Sequence, residues 1–235
     1  MEFARLCAVL AGGLAMGMGA IGSAVGEGYV AMKAVEAMGR QPKASGKILR
    51  IMLIAQAVTE TASIFALVIS LVLIFQDGAA SALKGYSFIA AGIAIGFGTI
   101  GAGFGAGLPG GAACEGISRQ PENIDVLTFN MLIGQAVSQT APIFSLTVAL
   151  LLINIEPRPE LAKICALLGA GVAVGFGGIG PGIGDGIAAR FANLAIGRNP
   201  KCLGIITRNM LIGQALAETM DICAMVVALI LIFVV

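Results

Sequence analysis

The 235-residue sequence contains no histidine and no tryptophan, only two tyrosines, and just 11% charged residues. Without histidine it lacks the usual general base of acid–base catalysis and the commonest metal ligand. It also lacks the aromatic platforms on which nucleic-acid bases stack, and its net charge of +1 leaves no basic surface for a polyanion. We therefore expect no nucleic-acid partner, and any function must depend on very few polar side chains.

The five cysteines stand apart in the sequence and form no CxxC pair of the kind found in zinc or redox sites. We interpret them as inert, reduced thiols buried in the membrane. The chain also lacks a nucleotide-binding loop of the G-x-x-x-x-G-K-[ST] type. The sequence thus predicts no cofactor and no catalytic site of its own, so any ATP chemistry would lie on partner subunits.

Hydrophobic residues make up 58% of the chain, against roughly 45–50% in a soluble domain. They are arranged in three copies of one pattern with a period of 79 residues, which needs no gaps. We define repeat 1 as residues 1–78, repeat 2 as 79–157 and repeat 3 as 158–235. The clearest marker is the element Arg40-Gln41-Pro42, which returns as Arg119-Gln120-Pro121 and Arg198-Asn199-Pro200.

Each repeat has a glycine-rich apolar stretch before this marker and a more aliphatic stretch after it. A membrane helix needs about 20 apolar residues, and six candidates lie near 6–38, 48–75, 85–117, 127–153, 162–196 and 206–234. Strands are excluded because open sheet edges cannot lie in lipid. We predict an all-α membrane protein with six transmembrane helices, arranged as three tandem helical hairpins.

Basic residues are concentrated in the turns inside the hairpins. Eight Lys and Arg residues lie there, against four at the termini and in the links between repeats. Because positively charged loops favour the cytoplasm, we expect a multi-pass protein of a prokaryotic plasma membrane with its three turns on the cytoplasmic side.

Glu27, Glu60, Asp185 and Glu218 fall inside the predicted helices, far from the charged turns. An ionised carboxylate at the bilayer centre costs about 2.5–3.5 kcal/mol on insertion scales, so such residues are functional by default. The alternative is a protonated carboxyl group that only satisfies a neighbouring helix. The first two acids lie 15 residues before and 18 residues after Pro42, which places both roughly 20 Å from the turn.

The repeats allow an internal comparison. Repeat 2 has Ala106 and Gln139 where the other repeats carry their two acids. Loss of both acids together favours two groups that share one ion, and hence two ion sites and one neutral hairpin. Gln56, Gln135 and Gln214 persist in all repeats, which favours a packing role over ion ligation. Asp221, one turn after the last acid, is either a protonated neighbour or an auxiliary acid.

These features together resemble the rotor-ring c subunit, or proteolipid, of rotary F-type and V-type ATPases, fused in triplicate. The resemblance covers nearly the whole chain and rests on three elements: a GxGxGxG first helix, the Arg-Gln/Asn-Pro turn, and an acid in Gln-Ala-x-x-Glu. The glycine pattern runs from Gly22 to Gly28, with Ala24 replacing one glycine, from Gly101 to Gly107, and from Gly180 to Gly186.

The resemblance implies a homo-oligomeric ring with glycine-rich helices inside and acid-bearing helices outside, facing membrane lipid and a stator subunit that carries an essential arginine. Glu60 and Glu218 match the family's ion-carrying acid, which is neutralised by H+ or Na+ in lipid and ionises near the stator charge. The turns would contact central-stalk subunits, and the candidate docking residues are Arg40, Gln41, Arg119, Gln120, Arg198 and Asn199. The alternative is that these residues only form the turn and set the orientation in the membrane.

Sodium-binding members of the family add oxygens from the first helix, from a hydroxyl after the acid and from a carbonyl two residues before it. Glu27 and Asp185, Thr61 and Thr219, and Val58 and Leu216 match these positions. The resemblance thus implies Na+ at Glu27/Glu60/Thr61 and at Asp185/Glu218/Thr219, with one proton retained beside the cation. A further family hydroxyl is replaced by Ala62 or Met220, which leaves H+ as the alternative ion.

A competing class is a small polytopic ion carrier or channel outside any rotary machine. Such a protein would line a pathway with polar or charged side chains. Apart from the acids these helices have almost none, so the rotor subunit is the favoured interpretation.

Overall fold

The structure, a computed structural model, describes residues 2–76 and 81–235; the expected boundary between repeats 1 and 2, at 78/79, lies outside the described residues. Within those ranges the chain is almost entirely helical. Six helical stretches there are long and apolar enough to cross a membrane. The predicted all-α, multi-pass membrane architecture is confirmed.

In chain order the helices are α1 (Glu2–Arg40), α2 (Ser45–Ile74), α3 (Lys84–Arg119), α4 (Ile124–Ser138), α5 (Thr140–Asn154), α6 (Leu161–Gly177), α7 (Ile179–Arg198) and α8 (Leu203–Phe233). Short 3₁₀ helices join the two halves of each repeat: Pro42–Ala44, Pro121–Asn123 and Pro200–Cys202. Repeat 1 supplies α1 and α2, repeat 2 supplies α3 to α5, and repeat 3 supplies α6 to α8.

The turn inside each hairpin has one geometry. Gln41, Gln120 and Asn199 have φ of −137°, −139° and −142°, outside the helical region. A proline disfavours the α conformation in the residue before it and suits the first position of the next helical turn. The Arg-Gln/Asn-Pro marker therefore ends each first helix at its arginine and starts the second half of the hairpin.

Two of the six spans that the sequence predicts as continuous are interrupted. The second span of repeat 2 breaks at Gln139, and the first span of repeat 3 breaks at Gly178. In each case a proline, Pro142 or Pro181, follows three residues later. Its nitrogen has no hydrogen to donate to the carbonyl four residues back, and its ring crowds that carbonyl, so the helix breaks there.

The hairpins stand side by side in chain order. The first helices form one layer, in which α3 packs between α1 on one side and α6–α7 on the other, and α2, α4–α5 and α8 cover that layer. Glycines allow this approach: a β-carbon on Gly22 or Gly101 would overlap the backbone of Ile100 or Ile179. The assembly is therefore an arc with α1 and α2 at one edge and α7 and α8 at the other.

Candidate functional site

The two acids of each charged repeat lie at one depth, as their spacing predicts. In repeat 1, Gln56 on α2 donates to the carbonyl oxygen of Glu27 at 3.2 Å, and the Glu27 and Glu60 carboxyl groups interact electrostatically. In repeat 3, Gln214 on α8 donates to the carbonyl oxygen of Asp185 at 3.1 Å. The same pairing of first-helix and second-helix acids thus occurs twice.

The acids of repeat 3 are the most enclosed. Asp185 and Asp221 are each only 1% exposed, and both lie within electrostatic reach of Glu218. In the described part of the chain, Asp185 Oδ1 and both carboxyl oxygens of Asp221 have no hydrogen-bond partner. A buried carboxylate with no partner is very costly, so these groups require a proton or a bound cation.

In repeat 2 the two positions equivalent to the acids have uncharged side chains. Ala106 is fully buried where α1 and α7 carry an acid. The Gln139 side chain reaches across to repeat 1, where its amide Nε2 donates to the carbonyl oxygen of Val58 at 3.2 Å. The neutral position therefore makes a direct hydrogen bond between adjacent repeats.

We call the contact between adjacent repeats a seam, with seam 1–2 joining repeats 1 and 2 and seam 2–3 joining repeats 2 and 3. On seam 2–3 the hydroxyl group of Thr140, from repeat 2, donates to a carboxylate oxygen of Glu218. Thr219 instead donates to the carbonyl oxygen of Leu216 on its own helix, at 2.6 Å, and Thr61 likewise turns to Ala57. The acid of one repeat is thus joined to the hydroxyl of the preceding repeat.

The glutamines that recur in all repeats connect helices. Gln135 donates to the carbonyl oxygens of Ala55, at 3.0 Å, and Ala106, at 2.8 Å. Gln214 repeats this pattern with Gly134, at 3.1 Å, besides the Asp185 carbonyl. Each amide ties its own first helix to the second helix of the preceding repeat, which agrees with the packing role expected from the sequence.

The donor set suits a proton or a small monovalent cation. Carboxylate, hydroxyl and carbonyl oxygens are the ligands that hard cations prefer. Across residues 2–76 and 81–235, no group of three or more His, Cys, Asp or Glu side chains is arranged to hold a metal ion. A cation bound at the acids of repeat 3 would therefore also need backbone and hydroxyl oxygens.

The polar turns lie together at the opposite end from the chain termini, and the structure divides their residues into two groups. Arg40 and Arg119 form ion pairs with Glu36 and Glu115 of their own helices, and Gln120 donates to the carbonyl oxygen of Arg198 at 3.4 Å. The remaining turn residues of the predicted docking set make no side-chain hydrogen bond to a neighbouring turn within the described ranges: Gln41, Arg198 and Asn199.

Thr140 is not among the ligands that the sequence predicts. The predicted ligands of each site lie within one repeat, and Thr140 belongs to the repeat that has no acids. The repeat order held a usable signal: side-by-side hairpins place the second helix of one repeat against the first and second helices of the next. Residues just after Gln139 were therefore candidates for the Glu218 site.

Comparison with known proteins agrees with this arrangement. The family model described as the C subunit of ATP synthase matches three times, at residues 10–73, 89–152 and 168–231. One relative is an ATP synthase c subunit, numbered 2, of Cereibacter sphaeroides. It is 44% identical over 75 residues, which are 32% of this chain and 90% of the relative.

Two further relatives are named as c subunits of ATP synthase. That of Alkaliphilus oremlandii is 51% identical over 74 residues, 32% of this chain and 83% of its own length. That of Dehalococcoides mccartyi is 51% identical over 73 residues, 31% of this chain and 96% of its own length. Each relative thus corresponds to one hairpin, and the chain belongs to the family of ATP synthase C subunits as three fused copies of its hairpin.

Proposed function

We propose that this chain is a rotor-ring subunit of a rotary ATPase that carries two cations per chain, in repeats 1 and 3, and couples their movement to rotation. The observation that supports this most strongly is the pairing of acids. Glu27 with Glu60, and Asp185 with Glu218, meet at one depth inside membrane-spanning helices, and repeat 2 lacks both members of the pair. ATP chemistry belongs to partner subunits.

The cation we propose is Na+, with H+ as the alternative. At the repeat 3 site, the carboxyl groups of Glu218 and Asp185 and the hydroxyl of Thr140 supply oxygens. A further oxygen is the carbonyl of Val137, which occupies the position in repeat 2 that Val58 occupies in repeat 1. The Val58 carbonyl faces the next repeat and accepts the Gln139 amide. One proton stays with the two carboxylates, because a monovalent cation neutralises only one of them.

The repeat 1 site is completed by a second copy of the chain. Glu60 is exposed at one edge of the arc, whereas Leu216 and Thr219 are exposed at the other edge. By the geometry of seam 2–3, these two residues of the preceding copy supply the carbonyl and hydroxyl groups to Glu60. Head-to-tail repetition of one heterologous contact closes into a ring when the rotation allows it.

The edge of repeat 3 is shaped for such a neighbour. A groove of 410 Å³ is lined there by Phe176, Gly177, Gly180, Pro181, Ala217 and Met220. In repeat 2 five of the six corresponding residues are buried, namely Gly98, Gly101, Ala102, Ser138 and Ala141, and Phe97 is half-buried. Repeat 3 packs against this face. We assign the groove to repeat 1 of the next chain.

In operation each loaded site is electrically neutral, so it can face lipid. Near the stator arginine the charged carboxylate is favoured by the opposite charge, and the cation leaves. Rotation then carries the next site into that position. The cytoplasmic turns, with the exposed Arg198 and Asn199 among them, dock on the central stalk and transmit the rotation.

Carboxyl labelling tests the proposal. A carbodiimide that reacts with protonated, lipid-accessible carboxyl groups should modify Glu60 and Glu218, and peptides of repeat 2 around Gln139 should stay unmodified as an internal control. Sodium should protect both acids at a pH where they still react. If Na+ does not reduce the labelling, H+ replaces Na+ as the proposed ion. If the reagent modifies neither Glu60 nor Glu218, ion carriage by these acids is contradicted.

Assembly provides the second test. Native mass spectrometry of the detergent-extracted protein should give a closed oligomer of several chains. A strictly monomeric chain that still transports an ion in vesicles would instead support the small carrier class.

A further inference from the structure

The two internal seams have the same inner-layer contact. A β-carbon built on Gly103 of repeat 2 would lie 2.5 Å from the Ser23 nitrogen, and one built on Gly182 of repeat 3 would lie 2.5 Å from the Ala102 nitrogen. Ordinary separations between heavy atoms are roughly 3.5–4.0 Å. At both seams the helices are therefore so close that only a glycine hydrogen fits against the neighbouring peptide nitrogen.

The seam between chains places different atoms at this contact. Continuing the 79-residue register, the peptide nitrogen at the edge of repeat 3 belongs to Pro181, and the residue facing it from the next chain is Ala24. Alanine adds a methyl group where both internal seams have glycine. The proline nitrogen carries a ring carbon where both internal seams have a hydrogen. Both partners are bulkier, so the internal spacing cannot be reproduced.

We infer that the seam between successive chains is wider than seams 1–2 and 2–3, and that the two ion sites are consequently unequal, with the Glu60 site binding its cation more weakly. This inference rests on the proposed function, since it concerns the same two sites in the assembled ring. Glu60 lies on the wide seam, and Glu218 lies on the close seam 2–3.

The free edges agree with a second copy as the occupant of that seam. A β-carbon built on Gly28 or on Gly180 would meet no described atom within 4 Å. Their counterparts inside the chain, Gly107 and Gly101, lie directly against the backbone of the adjacent repeat. The glycines that close the internal seams thus recur at both outer edges, where they lie open to a neighbour, and the pair of Ala24 and Pro181 is the exception.

The first-helix acid is longer at the seam that we infer to be wider. The first-helix acid at the Glu60 site is Glu27, which is one methylene longer than Asp185 at the Glu218 site. The longer arm can reach a cation held further from its helix. The Glu218 site also has Asp221, 1% exposed, whereas the equivalent position in repeat 1 is Ser63, so the close seam has one more carboxyl group beside its acid.

The spacing itself can be measured in a density map of the assembled ring. We expect the Cα separation of Ala24 and Gly180 across the chain seam to exceed those of Gly22 with Gly103 and of Gly101 with Gly182 by about 1 Å, the displacement a methyl group requires. Three equal separations in a closed ring would overturn the inference and leave the proposed function intact. Absence of any ring would contradict the proposed function instead.

The unequal affinity is tested by sodium protection against carbodiimide, followed separately for Glu60 and Glu218 by peptide mass spectrometry. Half-protection of Glu60 should need about fivefold more Na+, equivalent to about 1 kcal/mol of binding free energy. Ala24→Gly should lower the Na+ requirement of Glu60 toward that of Glu218, which should not change. The matched control is Ala102→Gly, the equivalent of Pro181 on seam 2–3, and should leave Glu60 unaffected.

Equal midpoints in the unmodified chain, or an Ala24→Gly midpoint identical to it, would overturn the unequal affinity. If Na+ protects neither acid, the same comparison is made with the rate of carbodiimide reaction at fixed pH, which also differs between unequal carboxyl environments. Identical reaction rates of the two acids would then count against the inference. Pro181→Ala provides a second variant should Ala24→Gly fail to assemble.

Discussion

Seam 1–2 and seam 2–3 have the same helix packing and the same glycine spacing, but they have different functional groups at the depth of the acids. At seam 1–2 the Gln139 amide brings its own hydrogen and donates it to Val58. At seam 2–3 the Glu218 carboxylate has only lone pairs and accepts a hydrogen from Thr140. An amide satisfies the facing carbonyl by itself, whereas a carboxylate leaves charge that a cation or proton must neutralise. One change of functional group thus separates a neutral hydrogen bond between repeats from a charge that must be neutralised.

The comparison also bears on the energetics of the proposed rotor. With two ion sites among three hairpins, one turn moves two-thirds as many ions as an all-acid ring with the same number of hairpins. Fewer ions per ATP allow each ATP to drive an ion against a steeper gradient, whereas synthesis demands a larger ion-motive force. Such a ring suits pumping or operation near equilibrium.

The largest expected effect comes from making a charged repeat resemble repeat 2. Glu60→Gln should abolish coupled ion transport, because a second neutral hairpin in the same chain widens the gap between ion carriers beyond what the native neutral repeat sets. Ion-coupled ATP hydrolysis in proteoliposomes measures the loss. Gln139→Asn, which keeps an amide at the neutral position, is the matched control and should remain coupled. Full coupling in the Glu60 variant would remove that residue from the transport pathway.

The reverse change should have a smaller effect in the opposite direction. The double variant Ala106→Glu and Gln139→Glu places two acids on seam 1–2, where Thr61 and the Val58 carbonyl already lie on the facing repeat. If the ring size stays the same, the ratio of ions to ATP should rise about 1.5-fold, from two sites per chain to three. The ratio follows from the ion-motive force that balances a known ATP potential. An unchanged ratio with a demonstrably occupied new site would reject two sites per chain.

The sequence predicted the hairpins and the depth of the acids because both follow from local regularities. The 79-residue period places the Arg-Gln/Asn-Pro turn three times, and the offsets of Asp185 and Glu218 from Pro200, which equal those of the two acids around Pro42, bring the two residues together. The partner of Glu218 was not predicted, since Thr140 is 78 residues away and reaches it only through packing between repeats.

The helix breaks were also missed, for a different reason. Proline is tolerated in membrane helices when surrounding groups satisfy the freed carbonyl, so Pro142 and Pro181 did not by themselves predict interruptions. Pro109 illustrates the ambiguity, because α3 runs through it without a break. The same residue type thus occurs both in a continuous helix and after a helix break, and the sequence pattern alone does not separate the two cases.

A moderate loss of stability should follow from Gln135→Leu, which removes the hydrogen bond to Ala55 across seam 1–2 and the hydrogen bond to Ala106 within repeat 2. Interhelical hydrogen bonds in membranes contribute on average about 0.6 kcal/mol and at most about 1.7 kcal/mol, so the total loss should be about 1–3 kcal/mol. Gln56→Leu is the matched variant at the chain edge, where the structure has a single bond from this side chain, to Glu27.

Thermal unfolding in detergent should therefore separate the two variants in the unassembled chain and bring them together in the ring, where Gln56 gains a second acceptor on the preceding copy. If both variants were equally destabilised in the unassembled chain, the cross-seam bond of Gln135 would contribute nothing measurable.

The smallest expected effect concerns the break between α4 and α5. Pro142→Ala restores an N–H that can donate to the Ser138 carbonyl, so the two helices should merge and the amide of residue 142 should exchange slowly with deuterium. The stability gain should stay below about 1 kcal/mol, since a single hydrogen bond is added. Pro181→Ala makes the same change in repeat 3 and is the matched comparison.

If the repeat 2 helix stayed broken while the repeat 3 helix became continuous, proline would not be the cause at Gln139. The pull of its side chain toward Val58, which only seam 1–2 possesses, would then be the structural reason for the break.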